Sequence, residues 1–118
     1  MNINTILLQP RNKEASIQVA IVNYLRLKNI ELFYTPNETN IKNPATRILK
    51  KLMGLQSGVS DLCLLLPQRR IVFIEIKTDK GKQSVNQKAW QSRVEMLGFE
   101  YYIWRNVDDA IYFIENKQ

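Results

Sequence analysis

Asp61, Glu75 and Lys77 are the residues of this chain best placed to do chemistry. They punctuate the run GVSDLCLLLPQRRIVFIEIK, residues 58–77. Asp61 opens one apolar stretch, a short turn containing Pro67 follows, and a second apolar stretch ends in Glu75-Ile76-Lys77. Side chains alternate faces along a strand, so Glu75 and Lys77 share a face. If the two stretches pair as a hairpin, Asp61 returns to the end of the second. Two carboxylates and one amine then converge at one end of a sheet. Such a group suits a hard divalent cation on the oxygens, with the lysine beside a water or a phosphate.

Each of these residues also has an ordinary structural reading. Asp61 could cap a turn after Gly58, where Asp and Asn are common. Glu75 could sit on a half-exposed strand, and Lys77 could be solvated at a strand end. Context favours chemistry. Residues 71–76 are nearly continuous apolar sequence, the pattern of a strand buried on both faces. A glutamate there is costly unless it is paired or binds a metal.

Two further residues carry open alternatives. Glu14 lies three and seven residues before Ile17 and Ile21, so it shares the inward stripe of the first helix. It could equally compensate the helix dipole, since an acid in the first turn is stabilising. Ser84-x-x-Gln87 is a capping box, in which Gln87 bonds back to the Ser84 backbone. Gln87 could instead point across the top of the sheet into the acidic group.

Composition narrows the chemistry. The chain has no histidine, which removes serine–histidine and cysteine–histidine catalysis and histidine-ligated zinc together. Its one cysteine, Cys63, cannot form an internal disulfide and alternates with apolar neighbours as a core residue would. The N-terminus has no basic leader ahead of its short apolar patch, and no run approaches the ~20 apolar residues that cross a bilayer. A cytoplasmic protein is the expectation. A net charge of +6 favours a polyanionic partner, nucleic acid above all. At 118 residues, one domain spanning 1–118 is expected.

The elements that must position these residues follow from periodicity and punctuation. An amphipathic helix is expected over 13–28, with Asn12 as cap and Ile17, Ile21, Tyr24 and Leu25 at helical spacing. A strand over 30–34 leads to a polar loop, then a short basic helix over 46–53 stopped by Gly54. Strands over 61–66 and 71–76, a lysine-rich loop over 79–83, and a helix over 84–97 closed by Gly98 come next. An aromatic strand over 99–105 and a helix over 107–115, capped by Asn106, complete the chain. Basic residues gather as Arg47, Lys50 and Lys51, and as Lys80, Lys82 and Lys88. The second set follows the acidic group directly, so phosphate would be drawn to the same edge. Trp90, Trp104, Tyr101 and Tyr102 read as core or interface residues rather than base-stacking platforms. The Asn37-Glu38-Thr39 sequon carries no meaning without secretion.

The ordered combination of these pieces resembles the PD-(D/E)xK nuclease superfamily and, more narrowly, VRR-NUC domain proteins. The matching pieces are Glu14, Pro36-Asn37-Glu38, Gly58-Val59-Ser60-Asp61, Glu75-Ile76-Lys77, residues 81–87 with Ser84 and Gln87, and Gly98. An isolated D…ExK is weak; the ordered set, running across nearly the whole chain, is specific. The family usually has proline before the metal-binding aspartate, and here Ser60 stands there. Proline shapes the backbone without ligating, so activity is expected to survive.

The resemblance implies an α/β fold with a restriction-endonuclease-like core, a mixed sheet flanked by helices in α-β-β-β-α-β order. It implies that Asp61 and Glu75, helped by the Ile76 carbonyl, hold Mg²⁺ or Mn²⁺. Glu14 would orient the attacking water or complete the metal shell, Lys77 would position or deprotonate that water, and Gln87 would hydrogen-bond within the site. DNA is the implied partner, with Lys80, Lys82, Lys88, Arg47, Lys50 and Lys51 as candidate contacts. Small stand-alone members resemble structure-specific nucleases acting on branched DNA such as Holliday junctions. Two cuts on a symmetric junction need two sites, so a homodimer is expected, with the aromatic strand 99–105 offering one face to a partner. The alternatives are a nuclease directed at flaps or single strands, a non-catalytic DNA-binding module of the same fold, and an interaction or inhibitor protein using its basic face. The module would be expected to lack one of Asp61, Glu75 and Lys77. The last would leave Glu75 unexplained.

Overall fold

The computed structural model describes residues 12–36 and 41–116. The N-terminal segment weighed as a leader, Asn37 and Glu38 of the family pattern, and the sequon lie outside the described residues. Among the described residues, four helices and four strands follow in chain order: α1 (Lys13–Leu27), β1 (Glu31–Tyr34), α2 (Pro44–Leu52), β2 (Leu62–Leu66), β3 (Arg70–Ile76), α3 (Val85–Met96), β4 (Glu100–Trp104) and α4 (Val107–Asn116). The strands form one mixed sheet in the order β1-β2-β3-β4. β1 with β2 and β2 with β3 are antiparallel, while β3 with β4 is parallel because α3 carries the chain back across the sheet.

Cross-strand partners share a face, so the register divides the sheet in two. One face carries Leu62, Leu64, Val72, Ile74, Ile76 and Trp104, all buried against Ile21 and Leu25 of α1 and Phe113 and Ile114 of α4. This is the core. The opposite face carries Cys63, Phe73, Glu75 and Tyr101. There Phe73 sets its ring edge-on to Trp90 of α3 and to Phe99, at 5.6 and 5.9 Å between centroids. β3 therefore has cover on both faces, as its unbroken apolar run predicts. Glu75 inherits that burial.

Local signals explain the element ends. Asn12 caps α1 by accepting from the Ala15 N–H at 3.1 Å. The first strand starts one residue later than expected, because Asn29 adopts a left-handed conformation (φ 59) in the turn that leaves the helix. α2 begins two residues earlier than expected. Asn43 accepts from Ala45 and Thr46 N–H, and Pro44 occupies the first helical position, where its missing N–H costs nothing. Asn106 caps α4 by accepting from the Asp109 N–H at 3.0 Å.

The aromatic strand does not offer the outward face expected of it. Tyr101 and Trp104 are buried, and Tyr102 packs its ring on Phe113 at 5.2 Å. Both faces of β4 are taken by the fold itself. The exposed apolar surface lies elsewhere. On α2, Ile48, Leu49, Leu52 and Met53 are each more than half exposed, and they fall on one side of the helix.

Candidate active site

The β2–β3 hairpin assembles the first half of the site. Leu62 pairs with Ile74, so Asp61, one residue before the strand, reaches the level of Glu75. The Asp61 carboxylate accepts from the Ile76 backbone N–H at 2.7 Å. Its carbonyl accepts from the Thr35 N–H at 2.8 Å, which ties the same residue to the end of β1. The strand-pairing expectation that brings Asp61 to the Glu75-Ile76-Lys77 segment is met. What is seen of Ile76 is its N–H on Asp61; its carbonyl is not seen engaged there.

α3 brings the second half. Gly58 has φ +81, and a Cβ on it would lie 2.3 Å from the Asn86 carbonyl oxygen and 2.8 Å from the Gln87 nitrogen. Only a glycine allows the turn leading to Asp61 to touch the first turn of α3 backbone to backbone. Ser60, buried at 1% exposure, follows in this tight segment, and its hydroxyl has no hydrogen-bond partner.

The two readings of Gln87 are both realised, by different ends of one amide. Its Oε1 accepts from the Ser84 N–H at 2.8 Å, closing the capping box, while its Nε2 donates to Glu75 Oε2 at 3.1 Å. The helix cap therefore fixes the group that holds Glu75.

Glu75 is 1% exposed, and its other oxygen, Oε1, has no partner. Burial pushes its carboxyl from 4.5 up to about 9; the neighbouring Asp61 carboxylate adds to this, Glu14 adds slightly, and Lys77 opposes it. A buried carboxylate with an orphaned oxygen is costly and calls for a cation or a proton. The donor set around it is oxygen only, which fits a hard divalent ion. Among the described residues, however, no three acidic, cysteine or histidine side chains converge tightly enough to enclose a metal. Asp61 and Glu75 form a pair, and Glu14 is not gathered with them as a third ligand.

Glu14 is nonetheless within their field. It is half-buried in the first turn of α1, and burial raises its carboxyl, with Asp61 raising it further and Lys77 lowering it. Lys77 is half-buried on the same edge. Its backbone N–H donates to the Trp104 carbonyl at 3.1 Å, continuing the β3–β4 ladder, and a Cβ on Gly81 would sit 3.4 Å from its Cδ.

Three residues of this neighbourhood are not singled out by sequence reasoning. Tyr101, read above as core or interface, lies on the Glu75 face; burial raises its phenol first, and the Glu75 charge raises it further. Gln83 donates to the Tyr101 hydroxyl at 3.1 Å and to Gln91 at 2.9 Å. Arg105 donates through one nitrogen to the carbonyls of Thr78, Asp79 and Gly81 at 2.6, 3.2 and 2.8 Å. It clamps the loop that carries Lys80 and Lys82. Only the parity of Tyr101 against Glu75 across parallel strands could have flagged any of the three, and that requires knowing the strand order.

Lys80, Lys82, Lys88, Arg47 and Lys51 are exposed and Lys50 is half-buried. Arg47 also donates to the Ile41 carbonyl at 3.4 Å.

Comparison with known proteins places this arrangement. The model of the VRR-NUC domain family matches residues 2–108. The chain belongs to the VRR-NUC family. Two solved structures share the fold. One, described as a VRR-NUC domain, aligns with a TM-score of 0.67 at 18% identity over 91% of this chain and 99% of its own. The other, a VRR-NUC domain protein, aligns with a TM-score of 0.70 at 17% identity over 90% and 88%. A search of curated proteins finds no match. The mixed sheet with flanking helices is thus the VRR-NUC nuclease fold. The VRR-NUC domain is a nuclease domain, which implies DNA as partner, and domains of this type generally use divalent metals. No helix among the described residues is long and apolar enough to cross a membrane.

Proposed function

We propose that this VRR-NUC protein is a divalent-metal-dependent DNA endonuclease, one domain over residues 1–118, that hydrolyses phosphodiester bonds in branched DNA and works as a homodimer in the cytoplasm. The observation that carries the reading is the buried Glu75 carboxyl with an unpartnered oxygen, held against Asp61. Asp61 and Glu75 would hold Mg²⁺ or Mn²⁺, with the Ile76 backbone beside them. A divalent ion at this position supplies Lewis acidity and a water of lowered pKa.

The protein's own groups divide the remaining work. Gln87 fixes the Glu75 rotamer through its Nε2, and the Ile76 N–H fixes that of Asp61. Lys77 offsets the charge of the attacked phosphate and takes or guides the proton of the attacking water. Glu14, with its raised carboxyl, orients that water from the α1 side. Lys80, Lys82, Lys88, Arg47, Lys50 and Lys51 contact phosphates. The single buried thiol of Cys63 is in keeping with a reducing compartment.

The dimer is supported by the exposed stripe Ile48, Leu49, Leu52 and Met53 on α2. Patches of this kind mark interaction sites, and a two-fold pairing would match a four-way junction. Leu49→Glu should convert a light-scattering mass of about twice 13.9 kDa into that of the single chain.

The activity test is cleavage of labelled junction, flap, single-stranded and linear DNAs with Mg²⁺ or Mn²⁺. Junction cutting by the parent protein, lost in Asp61→Asn and Glu75→Gln while DNA binding persists, is the expected result. Wild-type-like cleavage by either variant would overturn the site, and cutting of flaps or single strands alone would replace the junction with a simpler substrate.

A further inference from the structure

An open groove of about 340 Å³ runs between the end of α2 and the outer face of α3. Its polar lining is Lys51, Gln56, Ser57, Asn86 and Arg93, with Ala89 between the last two. Two cations face it, and among the described residues no carboxylate lines it. Asn86 donates to the Ser57 hydroxyl at 2.7 Å, which leaves the Ser57 O–H free to donate outward. Arg93 lies over the Trp90 ring at 5.9 Å, which supports its guanidinium from one side. An apolar small molecule would find little to bury here, whereas a chain of phosphates would find donors and charge along its whole length.

The groove is placed by the same helix that completes the active site. Asn86, Ala89 and Arg93 recur at the spacing of one helix face. Gln87, the neighbour of Asn86, turns the other way, onto Glu75. At 1.5 Å per residue, Asn86 and Arg93 are about 10 Å apart along the axis, enough to span two neighbouring phosphates of one strand. The groove therefore starts one residue from the carboxylate pair's anchor and leads away from it.

We propose that this groove is a binding track for the phosphodiester backbone of DNA flanking the cleaved bond, with Lys51 and Arg93 each neutralising one phosphate and Ser57, Gln56 and Asn86 donating hydrogen bonds between them. The inference rests on the nuclease reading above and adds Arg93, Ser57, Gln56 and Asn86 to the DNA contacts. It makes α3 a two-sided element, with one face holding the catalytic carboxylate and the other holding the strand.

The test is DNA binding by fluorescence anisotropy at several salt concentrations, in an Asp61→Asn background so that the substrate stays intact. Adding Lys51→Ala and Arg93→Ala together should flatten the log–log salt slope by about 1.8 for duplex DNA, or about 1.4 for a single strand. Between about 50 and 200 mM salt, the duplex figure corresponds to about a 12-fold smaller loss of affinity. Arg93→Lys, which keeps the charge, should keep the slope. Both side chains are exposed, so folding is not at risk. An unchanged slope in a parent that binds DNA would overturn the groove alone. A parent that shows no salt-dependent DNA binding would overturn the nuclease reading and the groove with it.

Discussion

Replacing Glu75 by glutamine should abolish a pH dependence of stability that the metal-free protein owes to this one side chain. Its carboxyl is raised from 4.5 to about 9 in the folded chain, chiefly by burial. Between these values the native state keeps the proton and the unfolded state has lost it, so stability falls as pH rises. The contribution is full below pH 4.5 and gone above about 9. The slope is about 1.4 kcal/mol per pH unit, so roughly 3 kcal/mol disappears between about pH 6 and about pH 8. That is a large part of the ~5–15 kcal/mol that stabilises a domain, and it moves a urea midpoint by about 1 M or more. The chain has no histidine, so no ordinary side chain titrates in that window and competes with the signal. Urea unfolding in EDTA across that range is the assay. The wild type should lose stability steadily, Glu75→Gln should be nearly flat, and any residual slope belongs to Glu14, whose carboxyl is also raised. Saturating Mn²⁺ should reverse the wild-type trend, because ligation needs the deprotonated carboxylate. A flat wild-type profile, or an equal slope in the variant, would refute the argument that Glu75 is an unpaired buried acid.

Four other variants separate chemistry, charge and architecture. Lys77→Ala should depress turnover at saturating DNA with little change in affinity, whereas Lys80→Ala with Lys82→Ala should weaken binding and flatten its salt slope by up to about 1.8; equal effects of both would deny Lys77 a chemical role. Gly58→Ala should destabilise the protein by about 3 kcal/mol in thermal or urea unfolding, since its Cβ would meet the Asn86 carbonyl at 2.3 Å from a left-handed backbone. Arg105→Ala should cost about 1–3 kcal/mol by removing the guanidinium that the carbonyls of Thr78, Asp79 and Gly81 share, and faster amide exchange in residues 78–82 would show that the loop has loosened.

The elements that carry Asp61, Glu75 and Lys77 are legible in the sequence because strand periodicity alone sets which side chains share a face and where a hairpin returns. The burial of Glu75 follows from the apolar run around it. The rest depends on contacts between distant segments. Gln87 could not be assigned to the cap or to the site because a side-chain amide has two ends, and only the tertiary placement of α3 puts the second one on Glu75. Arg105 reads as a charged residue at the end of a strand until the loop after β3 folds over it. The aromatic strand misleads for a similar reason. Alternation in Tyr101, Tyr102 and Trp104 implies one free face, but α3 and α4 occupy both sides of the sheet at that edge. Pro44 misleads locally, since proline reads as loop until an asparagine before it makes it a helix start.

The parallel pairing of β3 with β4 has a consequence for how the chain is made. Val72 waits for Glu100 and Ile76 for Trp104, so the strand bearing Glu75 has only one neighbour until residues 100–104 have been synthesised. On the ribosome this strand is a long apolar edge, the kind that pairs with the wrong chain when left open. The α3 segment emerges first and can shield one side through Trp90 and Val94 before the edge is closed. Lys77 gains its backbone partner, the Trp104 carbonyl, only at that late step. A nascent chain thus completes the edge that bears Glu75 and Lys77 only after Trp104 has emerged, and a fragment ending before Glu100 would be an aggregation-prone sheet.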